Sequence, residues 1–207
     1  ECKKTNQRFE YFEDNMDSLL DEMLEETKIV VPSTAGESLF SPATVRLIKK
    51  INEKFPKIRY SITTNGLMIN KENLCKLGIE DRIYQLAVSV HATTKKTYDK
   101  IIKHSDFNKL VQNLNFISTL YKDKKIDHFQ MNFVINAYNY KEMPDFVKWA
   151  NELGANANFW QLLDSKINPK TFKKLNIFDK RHPDYNNFCK IIKHPIFKTG
   201  DCSIPDG

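Results

Sequence analysis

Polar residues that could bind a small molecule recur at the ends of the strands that this sequence predicts. The strand-end set consists of Gly36, Glu37, Asn65, Ser89, His91, Asn132, Asn136, Trp160 and Gln161. In parallel α/β proteins, ligands bind at the carboxyl ends of the strands, so we expect these side chains at one edge of a sheet. With one carboxylate among mostly neutral groups, the set suits hydrogen bonding to a zwitterionic or nucleoside-like molecule. It does not suit a hydrolase triad, which needs an activated nucleophile, a base and an orienting acid.

Several of these residues also have a purely structural interpretation. Gly36 could be a turn glycine, and Glu37 could be an acid favoured by the dipole at a helix N-terminus. Asn65 and Gly66 form a dipeptide that is common in turns of any protein. The ordered recurrence at strand ends, not any single residue, therefore indicates a binding site.

Two interpretations of His91 stay open. It faces a substrate, or it packs against the next helix with one ring nitrogen satisfied by the backbone. Because side chains alternate along a strand, Ser89 and His91 are predicted to share a face, opposite Val88 and Val90. If Ser89 points into the site, His91 should do so too.

The elements that position these residues alternate regularly along the chain. Strands are predicted at 28–31, 58–63, 83–90, 129–135 and 156–162. A first helix is predicted over 14–26, with an apolar face of Met16, Leu19, Leu20, Met23 and Leu24, and later helices begin at the caps Ser41, Asn70, Thr94 and Asp106. This pattern predicts an α/β fold with a parallel sheet covered by helices, in which the strand expected before the first helix is missing.

Composition narrows the class of protein further. The 207 residues carry 32 Lys+Arg against 26 Asp+Glu, but no basic run of five and no zinc-finger spacing, which argues against a nucleic-acid partner. No apolar run approaches the roughly 18 residues of a membrane span. The four cysteines, Cys2, Cys75, Cys189 and Cys202, form no CxxC pair, which favours a reducing cytoplasm, and Cys75 is predicted to be a small core residue.

Four stretches in this order resemble the motifs of radical S-adenosylmethionine (SAM) enzymes. Ala-Gly-Glu-Ser-Leu at 35–39 is similar to their Gly-Gly-Glu-Pro-Leu motif, and Ile-Thr-Thr-Asn-Gly at 62–66 to their second strand-end motif. The segment 88–98 resembles their Ser-x-Asp-Ala stretch, and 132–142, with Asn136, Asn139 and Glu142, resembles their fifth-strand segment. The resemblance covers about residues 1–163 and is closest to the SPASM-type subgroup.

This resemblance implies a partial (β/α)6 TIM-like barrel over 1–163 and a C-terminal extension, 164–207, leading towards a SPASM-type module. It also implies a [4Fe–4S] cluster held by a CxxxCxxC loop, with SAM bound to the open iron. An electron donor such as flavodoxin or ferredoxin would be a partner, and a peptide is the favoured substrate by analogy. The chain would be the core of an enzyme cut from a longer protein, and inactive by itself.

The resemblance also assigns roles to individual residues. Gly36 and Glu37 match the motif that binds the amino group of SAM, and Asn65 and Ser89 match positions that reach its carboxylate or ribose. The remaining assignments are Asn136 near the ribose, Gln161 beside the adenine, His91 towards the substrate and Cys2 as the last cysteine of the cluster loop.

Departures from the family pattern keep two other classes open. The CxxxCxxC loop is incomplete, Ala35 and Ser38 replace a Gly and a Pro, and His91 replaces an Asp. Lys103 is a candidate for the positive charge that a family Arg provides. The alternatives are a barrel-like binding or scaffold module without a cluster, and an aldolase-type barrel, against which we find no strand-end Lys placed for a Schiff base.

Overall fold

Six parallel strands form a single sheet in a computed structural model that describes residues 15–32, 39, 41–163, 167–198 and 202–203. The strands are β1 (Ile29–Val30), β2 (Arg59–Thr64), β3 (Ile83–Ser89), β4 (Ile126–Ile135), β5 (Asn156–Gln161) and β6 (Cys202–Ser203). Each strand pairs in parallel with its neighbours in chain order. The predicted α/β class with a parallel sheet is confirmed, and the sequential strand order is consistent with a partial TIM-like barrel.

One helix precedes β1, and the others follow the strands of the sheet in turn. They are α1 (15–24), α2 (Pro42–Lys54), α3 (Lys71–Leu77), α4 (Lys95–Ile101), α5 (Phe107–Lys122), α6 (Met143–Leu153), α7 (Pro169–Leu175) and α8 (Tyr185–Ile191), with 3₁₀ turns at Tyr140–Glu142 and Pro195–Lys198. Because parallel crossovers are right-handed and the strand order never reverses, the crossover helices lie on one face of the sheet.

The two faces of the sheet differ sharply in composition. One face is buried and apolar, with Leu86, Val88, Phe129, Met131, Phe133 and Phe159 in the common core. On the other face, register aligns Ser89 with Asn132 and Asn132 with Asn158, and it aligns Gln130 with Asn156. We call this second surface, which includes Gln85, Gln130, Asn132, Asn158 and Trp160, the amide face.

The predicted helix starts and stops are confirmed by their hydrogen bonds. Ser41 Oγ accepts from Thr44 N at 3.2 Å, and Asn70 Oδ1 accepts from Asn73 N at 2.9 Å. Thr94 and Asp106 cap α4 and α5 in the same way. Gly78 and Gly154 end α3 and α6 in the left-handed conformation that glycine adopts without steric cost.

Three predictions about buried side chains were wrong. Met23 is 70% exposed, whereas Met16, Leu20 and Leu24 are buried; at about 100° per residue Met23 lies just outside the edge of this stripe, on the side of Met16. Cys75 is exposed rather than a core residue, since Leu74 and Leu77 take the inward positions of α3. The first strand is a two-residue strand that pairs with β2, and Ile29 is exposed where a buried strand was predicted.

The C-terminal segment adds a strand that the sequence pattern did not indicate. Cys202 and Ser203 pair in parallel with Ala157 and Asn158 of β5. The segment also places Ile177 and Phe188 in the common core. A two-residue strand has no measurable alternation, which is why periodicity could not detect it.

Within the part of the chain that is described, no helix has the length and apolar character needed to cross a membrane.

Candidate functional site

A pocket of about 310 Å³ lies at the carboxyl ends of β3, β4 and β5. Its walls are formed by His91, Lys100, Ile101, Ile102, Val134, Asn136, Tyr138, Leu162, Ile167 and Leu175. The volume falls at the lower end of the range for small-molecule sites, and the lining is largely apolar with a few polar groups. The structure thus places a ligand-sized pocket at the edge of the sheet where the strand-end residues predict one.

His91 closes the β3–β4 ladder with its side chain. The residue has a φ of +64°, and its Nδ1 accepts a hydrogen bond from the backbone N–H of Val134 at 3.0 Å. Because Nδ1 is the acceptor, the neutral ring carries its proton on Nε2. Burial lowers the pKa of His91 from 6.5 to about 4, so the ring is neutral near pH 7.

His91 therefore combines the two interpretations that the sequence left open. One ring nitrogen is satisfied by backbone, as the packing interpretation requires, while the residue also lines the pocket. The strand alternation that would place His91 on the face of Ser89 does not reach His91, because β3 ends at Ser89 and the positive φ of His91 turns the chain.

Two asparagines fix the loop that follows β4. Asn139 is fully buried, and its Nδ2 donates to the carbonyls of His91 and Val134, both at 2.9 Å. Its Oδ1 accepts from Asn136 N at 2.8 Å, and Asn136 Oδ1 in turn accepts from Tyr138 N at 2.9 Å. Asn136 borders the pocket, but its side-chain oxygen already serves this turn, so its predicted ribose contact stays a prediction.

Glu142 ties the same loop to α4. Its carboxylate accepts from the backbone N–H of Thr93 at 2.6 Å and of Thr94 at 3.3 Å. It also accepts from both threonine hydroxyls, at 3.0 and 2.7 Å. The carboxylate thus stabilises the start of the helix that carries the pocket residues Lys100 and Ile101.

Lys100, which sequence reasoning missed, is the cation among the described residues that line the pocket. Its Nζ lies 3.7 Å from the centre of the Tyr138 ring, a cation–π contact. Lys103, the predicted candidate, is exposed, lies two residues beyond the end of α4 and donates to the Asp99 carbonyl of that helix. Helical spacing from Lys103 could not identify Lys100, because α4 ends at Ile101 and Lys103 lies beyond it.

The loop after β2 is built around Gly66. The glycine has a φ of +80°, and its carbonyl accepts from Asn113 Nδ2 on α5 at 2.7 Å. Asn65 is half-buried and its Oδ1 accepts from Leu67 N at 2.9 Å, as in a turn. The turn predicted here is confirmed, and the SAM contact of Asn65 stays a prediction.

Ser89 and Gln161 occupy different surfaces. Ser89 is half-buried on the amide face, in register with Asn132. Gln161 is exposed and in register with Ile135, which belongs to the apolar face. The structure therefore separates these two predicted site residues, and Trp160, the neighbour of Gln161, is the residue of β5 that lies on the amide face.

Asn132 connects the polar groups of the amide face. Its Oδ1 accepts from Gln130 Nε2 at 2.6 Å, and from Asn158 Nδ2 and Trp160 Nε1, both at 3.3 Å. Gln130 Oε1 accepts from Gln85 Nε2 at 3.4 Å, which extends the network to β3. The alternating Gln-x-Asn and Asn-x-Trp patterns of β4 and β5 were the sequence signal for this surface.

Gly36, Glu37 and Cys2 lie outside the described residues, so their predicted roles stay predictions. Among the described residues there is no group of three His, Cys, Asp or Glu side chains that could hold a metal ion. The described cysteines, Cys75, Cys189 and Cys202, are all free thiols. Ligands of an iron–sulfur cluster would therefore have to come from outside the described residues.

Comparison with known proteins points to one class of enzyme. No protein-family model matches the chain. It is 34% identical over 92 residues to the FeMo cofactor biosynthesis protein NifB of Methanocaldococcus infernus, covering 44% of this chain and 29% of that protein. It is 27% identical over 177 residues to the GTP 3′,8-cyclase of Lactiplantibacillus plantarum, covering 81% and 49%. A probable GTP 3′,8-cyclase of Methanocaldococcus jannaschii is 25% identical over 122 residues, covering 59% and 39%.

These relatives are radical SAM enzymes, which use a [4Fe–4S] cluster and SAM. The chain is thus distantly similar to the class of enzyme that its motifs resemble. It spans less than half the length of each of these three relatives.

Proposed function

We propose that this chain forms the SAM-binding core of a radical SAM enzyme. The observation that carries the proposal is the pocket at the carboxyl edge of an all-parallel, sequentially ordered sheet, bordered by the segments that resemble the family motifs. The relatives named above belong to the same class, which supports it independently. Together, a [4Fe–4S] cluster and SAM supply a 5′-deoxyadenosyl radical that removes a hydrogen atom from a substrate.

The described residues fit the nucleoside part of SAM. Apolar side chains of Ile102, Val134 and Leu175 offer walls for a flat ring. His91 is held neutral and carries its remaining N–H on Nε2, so it can donate a hydrogen bond without repelling the positively charged sulfonium group of SAM. Lys100 offers a positive charge at the same pocket for the methionine carboxylate.

The backbone around this pocket is fixed before any ligand binds. Asn139 and Glu142 bind the segments that follow β3 and β4 to each other through five hydrogen bonds, and Asn139 makes two more within β4 and its loop. This arrangement positions His91 and Lys100 without help from a ligand, which lowers the entropic cost of binding. Glu37, Gly36, Asn65 and Ser89 complete the proposed SAM site, and Cys2 is the proposed third cluster ligand.

Finer parts of the proposal rest on the motif resemblance alone. We place the protein in the cytoplasm, with a flavodoxin or ferredoxin as electron donor, and we assign 164–207 as the extension towards a SPASM-type module. A peptide is the substrate that this subgroup favours, whereas the name of one kind of relative specifies GTP. The side chains of the amide face bear on the choice between these two substrates.

Anaerobic reconstitution of the intact protein with iron and sulfide tests the proposal. We expect visible cluster absorbance and formation of 5′-deoxyadenosine from SAM after chemical reduction. Cys2→Ala should lower the iron content, whereas Cys75→Ala, at an exposed position of α3, should leave it unchanged. A protein that binds no iron and cleaves no SAM would instead be the scaffold module without a cluster.

A further inference from the structure

We propose that the amide face binds an uncharged planar amide group of the substrate, with the side-chain NH2 of Asn132 donating to its carbonyl oxygen and Trp160 beside it. A peptide bond and the lactam ring of a guanine both present this chemistry. The inference rests on the proposed function, because it assigns the substrate class of the same site.

The orientation of the Asn132 amide is fixed by its neighbours. An indole N–H can only donate, so the atom that faces Trp160 Nε1 must be the oxygen of Asn132. That oxygen also accepts from Gln130 and Asn158. The nitrogen of Asn132 therefore points away from all three partners.

The side-chain nitrogen of Asn132 is a hydrogen-bond donor without a partner among the described residues. Asn132 is only 8% exposed, and its Nδ2 makes no hydrogen bond with any residue that the structure describes. This nitrogen is nevertheless not one of the enclosed side-chain atoms that lack a partner, which among the described residues is the Tyr140 hydroxyl alone. The Asn132 NH2 group is therefore a donor that a water molecule or a ligand can reach, on a side chain whose other polar atom is already engaged. Ser89, the register neighbour on β3, is half-buried on the same side.

The charge of the surrounding surface selects the class of ligand. His128, in register with Gln85, is an ionisable residue of this face, but it lies towards the amino ends of the strands. From the level of Gln130 to the carboxyl ends, the described positions of the amide face are Thr63, Ala87, Ser89, Gln130, Asn132, Val134, Asn156, Asn158, Trp160 and Ser203. None of them is ionisable near neutral pH. A nucleoside triphosphate is usually held by Arg, Lys or a metal ion, whereas an amide is matched by Asn and Gln, which offer a donor and an acceptor each.

Trp160 supplies a flat wall beside the donor. Its ring is 54% exposed although it is a large aromatic residue, and its N–H is held by Asn132. A planar amide that accepts from Asn132 could therefore stack on an indole whose orientation is already fixed.

Trp160 is also the reporter for the test. The chain has two tryptophans, so Trp149→Phe leaves Trp160 as the single one. In this background we expect guanosine or acetyl-triglycine amide to change the Trp160 fluorescence at an at least tenfold lower concentration than GTP. Whether the nucleoside or the peptide binds identifies the source of the amide.

Two isosteric substitutions localise the binding. Asn132→Asp keeps the three accepted hydrogen bonds and removes the donor, so it should weaken binding of the uncharged probe at least tenfold. Asn156→Asp adds the same charge at an exposed position of the same face, near the start of β5, and should change the affinity less than twofold.

Three outcomes would overturn the inference. The first is that GTP binds as tightly as the uncharged probes, and the second is that neither uncharged probe binds at millimolar concentration. Both are measured on protein that keeps Asn132. Alternatively, Asn132→Asp could weaken S-adenosylhomocysteine and spare the probes, which would assign Asn132 to the cofactor. Calorimetry with S-adenosylhomocysteine on the unsubstituted protein separates the two proposals. If the uncharged probe binds and S-adenosylhomocysteine does not, only the proposed function is contradicted.

Discussion

At the scale of single residues, His91 shows how a functional position and a structural one coincide. Its ring takes the place of a backbone carbonyl as the acceptor for Val134 N–H. Protonation of Nδ1 would therefore break this hydrogen bond and bring two N–H groups face to face. Burial acts in the same direction and lowers the pKa of His91 to about 4. The neutral ring is therefore part of the fold as well as of the pocket.

The free energy of unfolding should consequently decrease as the pH is lowered through a defined window. The pKa of His91 is lower in the folded state than its ordinary value of 6.5, so its contribution is complete above pH 6.5. Between pH 6.5 and 4 the unfolded chain binds the extra proton, which costs the folded state roughly 3 kcal/mol in all. Urea unfolding of His91→Asn should show a flatter profile across this window, because Asn tolerates the positive φ and keeps an acceptor near Nδ1. An unchanged slope would show that other groups cause it.

Glu37 offers a second prediction at this scale, which rests on the motif resemblance. A carboxylate that accepts from the amino group of SAM contributes roughly 1.5–3 kcal/mol, so Glu37→Gln should weaken SAM binding about 10- to 100-fold. Calorimetry with S-adenosylhomocysteine measures this, and Glu53→Gln on the exposed side of α2 is the control. Equal affinities of the two variants would make Glu37 a helix-end acid.

At the scale of elements, the loop after β2 depends on one glycine. A Cβ on Gly66 would lie 2.8 Å from both Leu110 Cδ1 and Val88 Cγ1, inside the core between α5 and β3. The φ of +80° adds a cost for any L residue. Both the position of Asn65 and the packing of α5 on β3 therefore depend on the missing side chain.

Gly66→Ala should destabilise the protein more than the matched change at Gly78. The φ of Gly78 is +66°, but its Cβ would meet only Asn52 Nδ2, at 3.2 Å. We expect about 1–2 kcal/mol for Gly78→Ala from the backbone alone, and roughly 1–3 kcal/mol more for Gly66→Ala from overpacking. Chemical denaturation of both variants measures the difference. Equal losses of stability would mean that the side chains around Leu110 can rearrange to accept the added Cβ at no cost in free energy.

The elements were largely predictable from sequence, and the reasons are local. Caps at Asn70 and Gly78 act over four residues, so their side chains and backbone bonds can be inferred from spacing. The site was less predictable because its contacts are distant in sequence: Asn139 reaches His91 across 48 residues, and Glu142 reaches Thr93 across 49. The resemblance pointed to Asn139 and Glu142, but only the structure shows that both stabilise loops.

At the scale of the whole molecule, the C-terminal segment and the sheet share one core. Ile177 is fully buried, Phe188 packs edge-on against Tyr140, and Phe197 against Phe159 of β5. The backbone N–H of Ala137 donates to the Leu175 carbonyl at 2.9 Å, next to the pocket that both residues' segments border. Residues 167–198 therefore complete the site rather than simply lead away from it.

This shared core predicts that the sheet and the segment unfold together. Ile177→Ala removes a fully buried side chain and should cost roughly 2–5 kcal/mol, whereas Ile29→Ala, at a 40% exposed position, should cost less than about 1 kcal/mol. Trp149 and Trp160 lie outside the segment, so their fluorescence reports on the rest of the fold. In Ile177→Ala, denaturation followed by this fluorescence should shift as far as denaturation followed by circular dichroism. If the fluorescence midpoint stayed at its original value, the parts of the chain before and after residue 163 would unfold independently.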